Sequence, residues 1–268
     1  GPGPGAVGRL QTLPITTAML RVAGSSAWSQ KITLPDGQIS YVLRVKALAD
    51  VQDEMRISVT DGTGQVSSYA SILVLPRMKK GDWSLSPVLR LESSARITAQ
   101  IDRAVPGPKP PIQLSLLLLD RLESKPTTSV SDGDLLVSDA ARLGLGQSVA
   151  RLIFPSGSCT GFAVTENYLL TNNHCVAGSR RLCDELAIEF NAVSKGEPGN
   201  GARCVRLVSA DALLDYALIE FKPDAPVPAL PIHTGPLAAG RVEYFSIHHA
   251  WGQEAIISTN THILARAD

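Results

Sequence analysis

Histidine is absent before His174 and cysteine before Cys159, so the first half of this 268-residue chain lacks the side chains that most readily do nucleophilic, acid–base or metal chemistry near neutral pH. Its acids, Asp50, Asp53, Glu54, Asp61, Asp82 and Glu92, fall at turns and strand edges, where solvated charge is ordinary. That half reads as a structural or binding module. An excess of either charge is also missing: Lys plus Arg and Asp plus Glu both total 25, and no basic run exceeds two residues. This excludes the electrostatic footprint of a nucleic-acid partner. No apolar run approaches the ~20 residues that cross a bilayer as a helix; the longest, Leu114 to Leu119, is far shorter, so no membrane span is expected. The start, Gly1-Pro-Gly-Pro-Gly5, has neither an initiator Met nor a signal peptide and reads as a processed mature end or an expression remnant, from which export is not legible.

What is present suits a globular β protein. Hydrophobic residues make up 44% and charged residues 19%, enough apolar surface for a core in each of two domains, the number the length suggests. Up to about residue 105, strand-sized runs alternate with turn signals. Ile39–Val45 and Met55–Val59 have period-two character; Ser71–Leu75, Val88–Leu91 and Ala95–Ile101 continue the series; Pro35-Asp-Gly37 and Asp61–Gly64 supply turn residues. The pattern predicts a small antiparallel β-sandwich or jelly roll over residues 1–105. Residues 106–144 read as a Pro/Ser/Thr-rich linker, from Pro106–Pro111 through Ser124–Gly133, holding one extra strand at Ile112–Leu119. From 145 the strands resume at Ser148–Phe154, Gly161–Val164, Tyr168–Thr171, Leu186–Phe190, Ala202–Ser209, Ala217–Phe221, Arg241–Ile247 and Ala255–Thr259. Ser138–Leu145 is the one plausible helical turn.

All four cysteines, Cys159, Cys175, Cys183 and Cys204, lie in this second part. Their even number and spacing suit two local disulfides in an oxidising compartment; four buried thiols are the alternative. They lack the closely spaced ligand pairs of a zinc site. His248-His249 stand at a strand end, where adjacent side chains point in opposite directions, so no metal pair is expected there. His233 and His262 read as loop and strand-edge residues. No cofactor is implied.

Three segments carry chemistry: Thr160-Gly161-Phe162 opening a strand, Leu170-Thr-Asn-Asn-His-Cys175, and Leu213-Leu-Asp-Tyr-Ala-Leu218. A serine hydroxyl becomes a nucleophile when a neutral imidazole takes its proton, and the imidazole needs a carboxylate on its other nitrogen to fix the tautomer. His174 and Asp215 suit those two roles. On these segments the chain from about 145 to 268 resembles the chymotrypsin/trypsin-like serine peptidases, in particular the bacterial trypsin-like and glutamyl-endopeptidase-like branch. The order His then Asp is that of chymotrypsin. The resemblance implies an all-β fold with the first barrel and the start of the second barrel of a double β-barrel. It implies a Cys159–Cys175 bridge beside the histidine, a Cys183–Cys204 bridge, and a polypeptide substrate.

The departure from that family is the nucleophile. No Gly-x-Ser-Gly segment lies between Asp215 and Asp268, and Ser246 and Ser258 lack glycine neighbours. The expectation is therefore the N-terminal portion of a trypsin-like serine endopeptidase, secreted or periplasmic and inactive by itself. The serine would reside in a missing C-terminal part or in a second chain produced by nicking. A pseudoprotease or β-rich binding module is the alternative. The first domain is expected to be a targeting, pro-region or regulatory element.

Overall fold

The computed structural model of the protein describes residues 10–15, 19–23, 25–37, 40–61, 73–75, 77–91, 93–101, 110–122, 134–136, 144–155, 157–179, 181–192, 199–235, 244–249, 252 and 255–261. The chain divides into two compact units: one within Leu10–Glu123 together with Asp184–Ala187, the other containing Ser124–Cys183 and Ile188–Asp268.

The first unit is an antiparallel sandwich of two sheets. Its strands are β1 (Leu10–Pro14), β2 (Leu20–Arg21), β3 (Ala27–Thr33), β4 (Ser40–Ala47), β5 (Met55–Asp61), β6 (Leu73–Leu75), β7 (Trp83–Arg90), β8 (Ser94–Ile101) and β9 (Ile112–Leu122). One sheet runs β1-β9-β4-β7 and the other β2-β3-β8-β5-β6. Period-two alternation explains the second sheet: in β8, Ala95, Ile97, Ala99 and Ile101 are buried while Arg96 and Gln100 are exposed. Residues of both sheets, among them Trp28, Ile57 and Ile97 from one and Tyr41, Leu43 and Leu116 from the other, share a single core. The apolar strand read at 112–119 is β9, which pairs with both β1 and β4. Its run Leu114-Ser-Leu-Leu-Leu-Leu119 is buried along its whole length, the signature of a central strand. Pro87 is tolerated because β7 is an edge strand, and the backbone N–H of Leu43, at a register shift in β4, donates to the Ser86 hydroxyl at 2.9 Å.

The second unit contains a closed six-stranded barrel, ordered β11-β12-β13-β16-β15-β14. Its strands are β11 (Val149–Phe154), β12 (Gly157–Ala163), β13 (Tyr168–Thr171), β14 (Ala187–Phe190), β15 (Asn200–Asp211) and β16 (Tyr216–Pro223). The fold is all-β, as the sequence predicts, with two one-turn helices the strand patterns do not show: α1 (Asn173–Val176) and α2 (Leu182–Glu185). Gly161 of β12 is there for space, since a Cβ at that position would lie 3.1 Å from Leu169 Cδ1, 3.2 Å from Leu152 Cδ1 and 3.3 Å from the Leu170 carbonyl. The polar turn at 165–167 is held by the Thr165 hydroxyl, which accepts from the amides of Asn167 (3.2 Å) and Tyr168 (2.9 Å). A separate three-stranded sheet joins β10 (Asp134–Leu136), β18 (Ile256–Thr261) and β17 (Tyr244–His248) around Ala255, Ile257 and Ile247.

Among the described residues no helix is long and apolar enough to cross a membrane. The helical turn read at Ser138–Leu145 is described only from residue 144, where one helical turn is present. The Gly1–Gly5 start, the turn residues 62–64, the 124–133 segment and His262 lie outside the described residues.

Candidate active site

Barrel register brings the two predicted residues together. β13 pairs antiparallel with β16, with Thr171 opposite Ala217, so the chain leaving β13 and the chain entering β16 meet at one barrel end. His174 lies in α1, three residues beyond the end of β13, and Asp215 immediately precedes β16. Across a separation of 41 residues, His174 Nδ1 is 2.7 Å from Asp215 Oδ2, and the His174 backbone N–H donates to Asp215 Oδ1 at 2.9 Å. One carboxylate thus grips both the ring and the main chain of the same residue.

The elements on either side are fastened to that geometry. Cys159 of β12 and Cys175 of α1 form a disulfide, tying the residue next to His174 to the barrel wall. Thr171 donates its hydroxyl to the Thr160 carbonyl at 2.8 Å, adding a second link between β12 and the end of β13. On the other side, Asp211 Oδ1 accepts from the amides of Leu213 and Leu214, both at 2.8 Å, and folds the turn that leads into Asp215. Asp215 itself has φ of 51°, in the left-handed region. A short polar side chain enters that region more readily than a branched one, at a cost of about 1 kcal/mol or more.

The electrostatics follow from these contacts. The Asp215 carboxyl is held below the ordinary aspartate range, chiefly by the hydrogen bond from the His174 backbone N–H and then by that from its ring. An ionised carboxylate against Nδ1 places the imidazole proton on that nitrogen and leaves Nε2 as the acceptor. The His174 side chain is 66% exposed, and Nε2 has no hydrogen-bond partner among the described residues. The arrangement leaves one imidazole nitrogen open as a hydrogen-bond acceptor.

The second predicted pair of cysteines, Cys183 of α2 and Cys204 of β15, is also a disulfide. Neither serine considered as a nucleophile is bonded to His174. Ser246 and Ser258 face each other across β17 and β18, and Ser258 Oγ lies 2.7 Å from His248 Nε2. His249 is buried, and its backbone N–H donates to the Thr160 hydroxyl at 2.9 Å, whereas His233 is exposed. Two residues escaped the sequence reading: Asn172, whose amide group reaches Asp215, and Asp211. The first was hidden inside the Asn-Asn pair before the histidine; the second had a signal in Asp211-Ala-Leu-Leu, an acid placed to accept amides two and three residues on.

Comparisons with known proteins give the following likenesses. Residues 159–268 match the family model of the trypsin-like peptidase domain. Among solved structures, the chain matches the Rv3671c protease in an inactive form, at 22% identity and a TM-score of 0.35, over 50% of this chain and 60% of that one. It also matches a serine-to-alanine variant of Rv3671c from M. tuberculosis H37Rv in an inactive form, at 23% identity and a TM-score of 0.35, over 49% and 57% of the two chains. The chain therefore spans less than two thirds of either solved structure's length. No curated protein sequence matches it.

Proposed function

We propose that this chain supplies the general base and its orienting acid to a trypsin-like serine endopeptidase. His174 takes the proton of a serine hydroxyl through Nε2, and Asp215 holds the ring and stabilises the imidazolium that forms. The single observation that carries the reading is the 2.7 Å contact between His174 Nδ1 and Asp215 Oδ2, made by two residues 41 apart at one end of a closed barrel. The serine, the oxyanion-hole amides and the surface that reads the substrate side chain come from protein outside residues 1–268, either a further part of the same polypeptide or a second chain. The substrate is a polypeptide. Two disulfides favour a secreted or periplasmic setting. The sandwich serves as an accessory or regulatory domain.

A fluorophosphonate probe tests this, because it labels only a serine activated by a working base. The complete gene product is expected to label, its His174→Ala variant to lose labelling by ~10³-fold or more, and the 268-residue chain alone to stay unlabelled. Absence of labelling in the complete, folded product would instead support a pseudoprotease or binding module.

A further inference from the structure

Asn172 stands at the position where a helix is usually capped. It is the N-cap residue of α1, with extended backbone (φ −79°, ψ 143°), and asparagine is among the best residues for that place. Its side chain nevertheless makes no hydrogen bond to the helix. The amide nitrogen Nδ2 goes instead to Asp215, lying 3.1 Å from Oδ2 and 3.3 Å from the backbone carbonyl oxygen. Both atoms are acceptors, so only the NH₂ end of the amide fits, and its two hydrogens match the two oxygens.

These contacts act on the two freedoms that decide where the Asp215 carboxylate lies. The bond to Oδ2 limits rotation of the side chain, on the same oxygen that faces His174 Nδ1. The bond to the carbonyl limits rotation of the main chain at a residue already held at φ 51°. We infer that Asn172 is a positioning residue, which locks Asp215 in the orientation that fixes the His174 ring from within the first barrel. Among the hydrogen bonds that keep the Asp215 carboxyl ionised, that of Asn172 matters less than either made by His174. Its part is therefore geometric.

This rests on the reading of His174 and Asp215 as base and orienting acid, and it adds that the pair is assembled without the segment bearing the serine. The dyad should then be formed in the isolated 268-residue chain, where no substrate and no nucleophile contribute.

The test is ¹⁵N and low-field ¹H NMR of His174 in that chain, at alkaline pH where an imidazole is neutral, for the wild type and for Asn172→Asp and Asn172→Ser. Aspartate and serine cap helices about as well as asparagine. Aspartate brings a like charge against Asp215, and serine has no amide group and a shorter reach. The wild type is expected to show one tautomer, protonated at Nδ1, with a low-field Nδ1 proton. Both variants are expected to lose that proton signal and to populate the second tautomer, with melting temperatures unchanged. Retention of the full wild-type signature in either variant overturns the inference while leaving the dyad intact. Loss accompanied by a lower melting temperature overturns it too, assigning Asn172 to the fold. A wild type without the signature removes the dyad reading itself.

Discussion

Protonating Asp215 neutralises the carboxylate that accepts from two His174 donors, the backbone N–H and the ring, and weakens both bonds. Because those bonds hold its pKa below the ordinary aspartate value, the contribution of this contact is present above that value and is lost as pH falls through the lower, folded-state pKa. On acidification of the 268-residue chain, the Asp215 carboxyl is expected to titrate below that ordinary value. Carboxyl ¹³C NMR measures this directly. Asp215→Asn should abolish the low-field His174 proton at every pH, since an uncharged amide no longer favours the proton on Nδ1. At this scale the sequence is informative where a motif repeats a known chemical need: His174 and Asp215, read from separate segments, lie 2.7 Å apart, and both cysteine pairs are disulfides. Asn172 is not legible in that way, because its role depends on a partner 43 residues away and on a side chain diverted from its usual local bond.

Among the elements, β11 and β14 carry a buried charge pair whose arithmetic is large. All six residues of β11 are buried, Arg151 among them, and its guanidinium bonds the Glu189 carboxylate of β14 through Nε at 2.9 Å and again through Nη2. Nη1 donates to the Gly252 carbonyl at 2.8 Å, and Glu189 Oε1 accepts from the Gly199 amide at 3.3 Å. Removing one member leaves a buried charge without its partner, at a cost of about 3–5 kcal/mol. Arg151→Met is therefore expected to lower unfolding free energy by that amount. Arg151→Met combined with Glu189→Leu should recover most of it, because the loss comes from the stranded carboxylate rather than from the missing pair. Urea unfolding of the three proteins separates the two cases. Alternation predicts this strand as apolar and buried but says nothing of an arginine inside it, since the partner lies 38 residues on. The same limit applies to β3 and β7. In β3, Ser29, Gln30 and Lys31 interrupt the apolar pattern although Trp28 and Ile32 are buried; in β7, Pro87 splits a strand that an edge position tolerates.

For the whole molecule, composition sets the two halves apart, since every cysteine and every described histidine lies in the barrel-bearing unit. The end of the sandwich was harder to read. Proline-rich chain on one side and Ser/Thr-rich chain on the other made Ile112–Leu119 look like a strand within a linker, whereas pairing with β1 and β4 makes it a central strand of the first unit. Sequence pattern reports that a strand exists, not which sheet it enters. The division has a thermodynamic consequence. The sandwich has its own continuous core and no cysteine, while both disulfides join cysteines of the other unit, with sequence separations of 16 and 21. Each bridge over a loop of that size stabilises by about 3 kcal/mol through the restricted unfolded chain. Calorimetry of the 268-residue chain is thus expected to show two transitions. Addition of a reductant should lower the temperature of one by about 20 °C and leave the other in place. Variants Cys159→Ser and Cys204→Ser should each shift that same transition by part of the amount. A single transition that moves as a whole would show that the two units unfold as one.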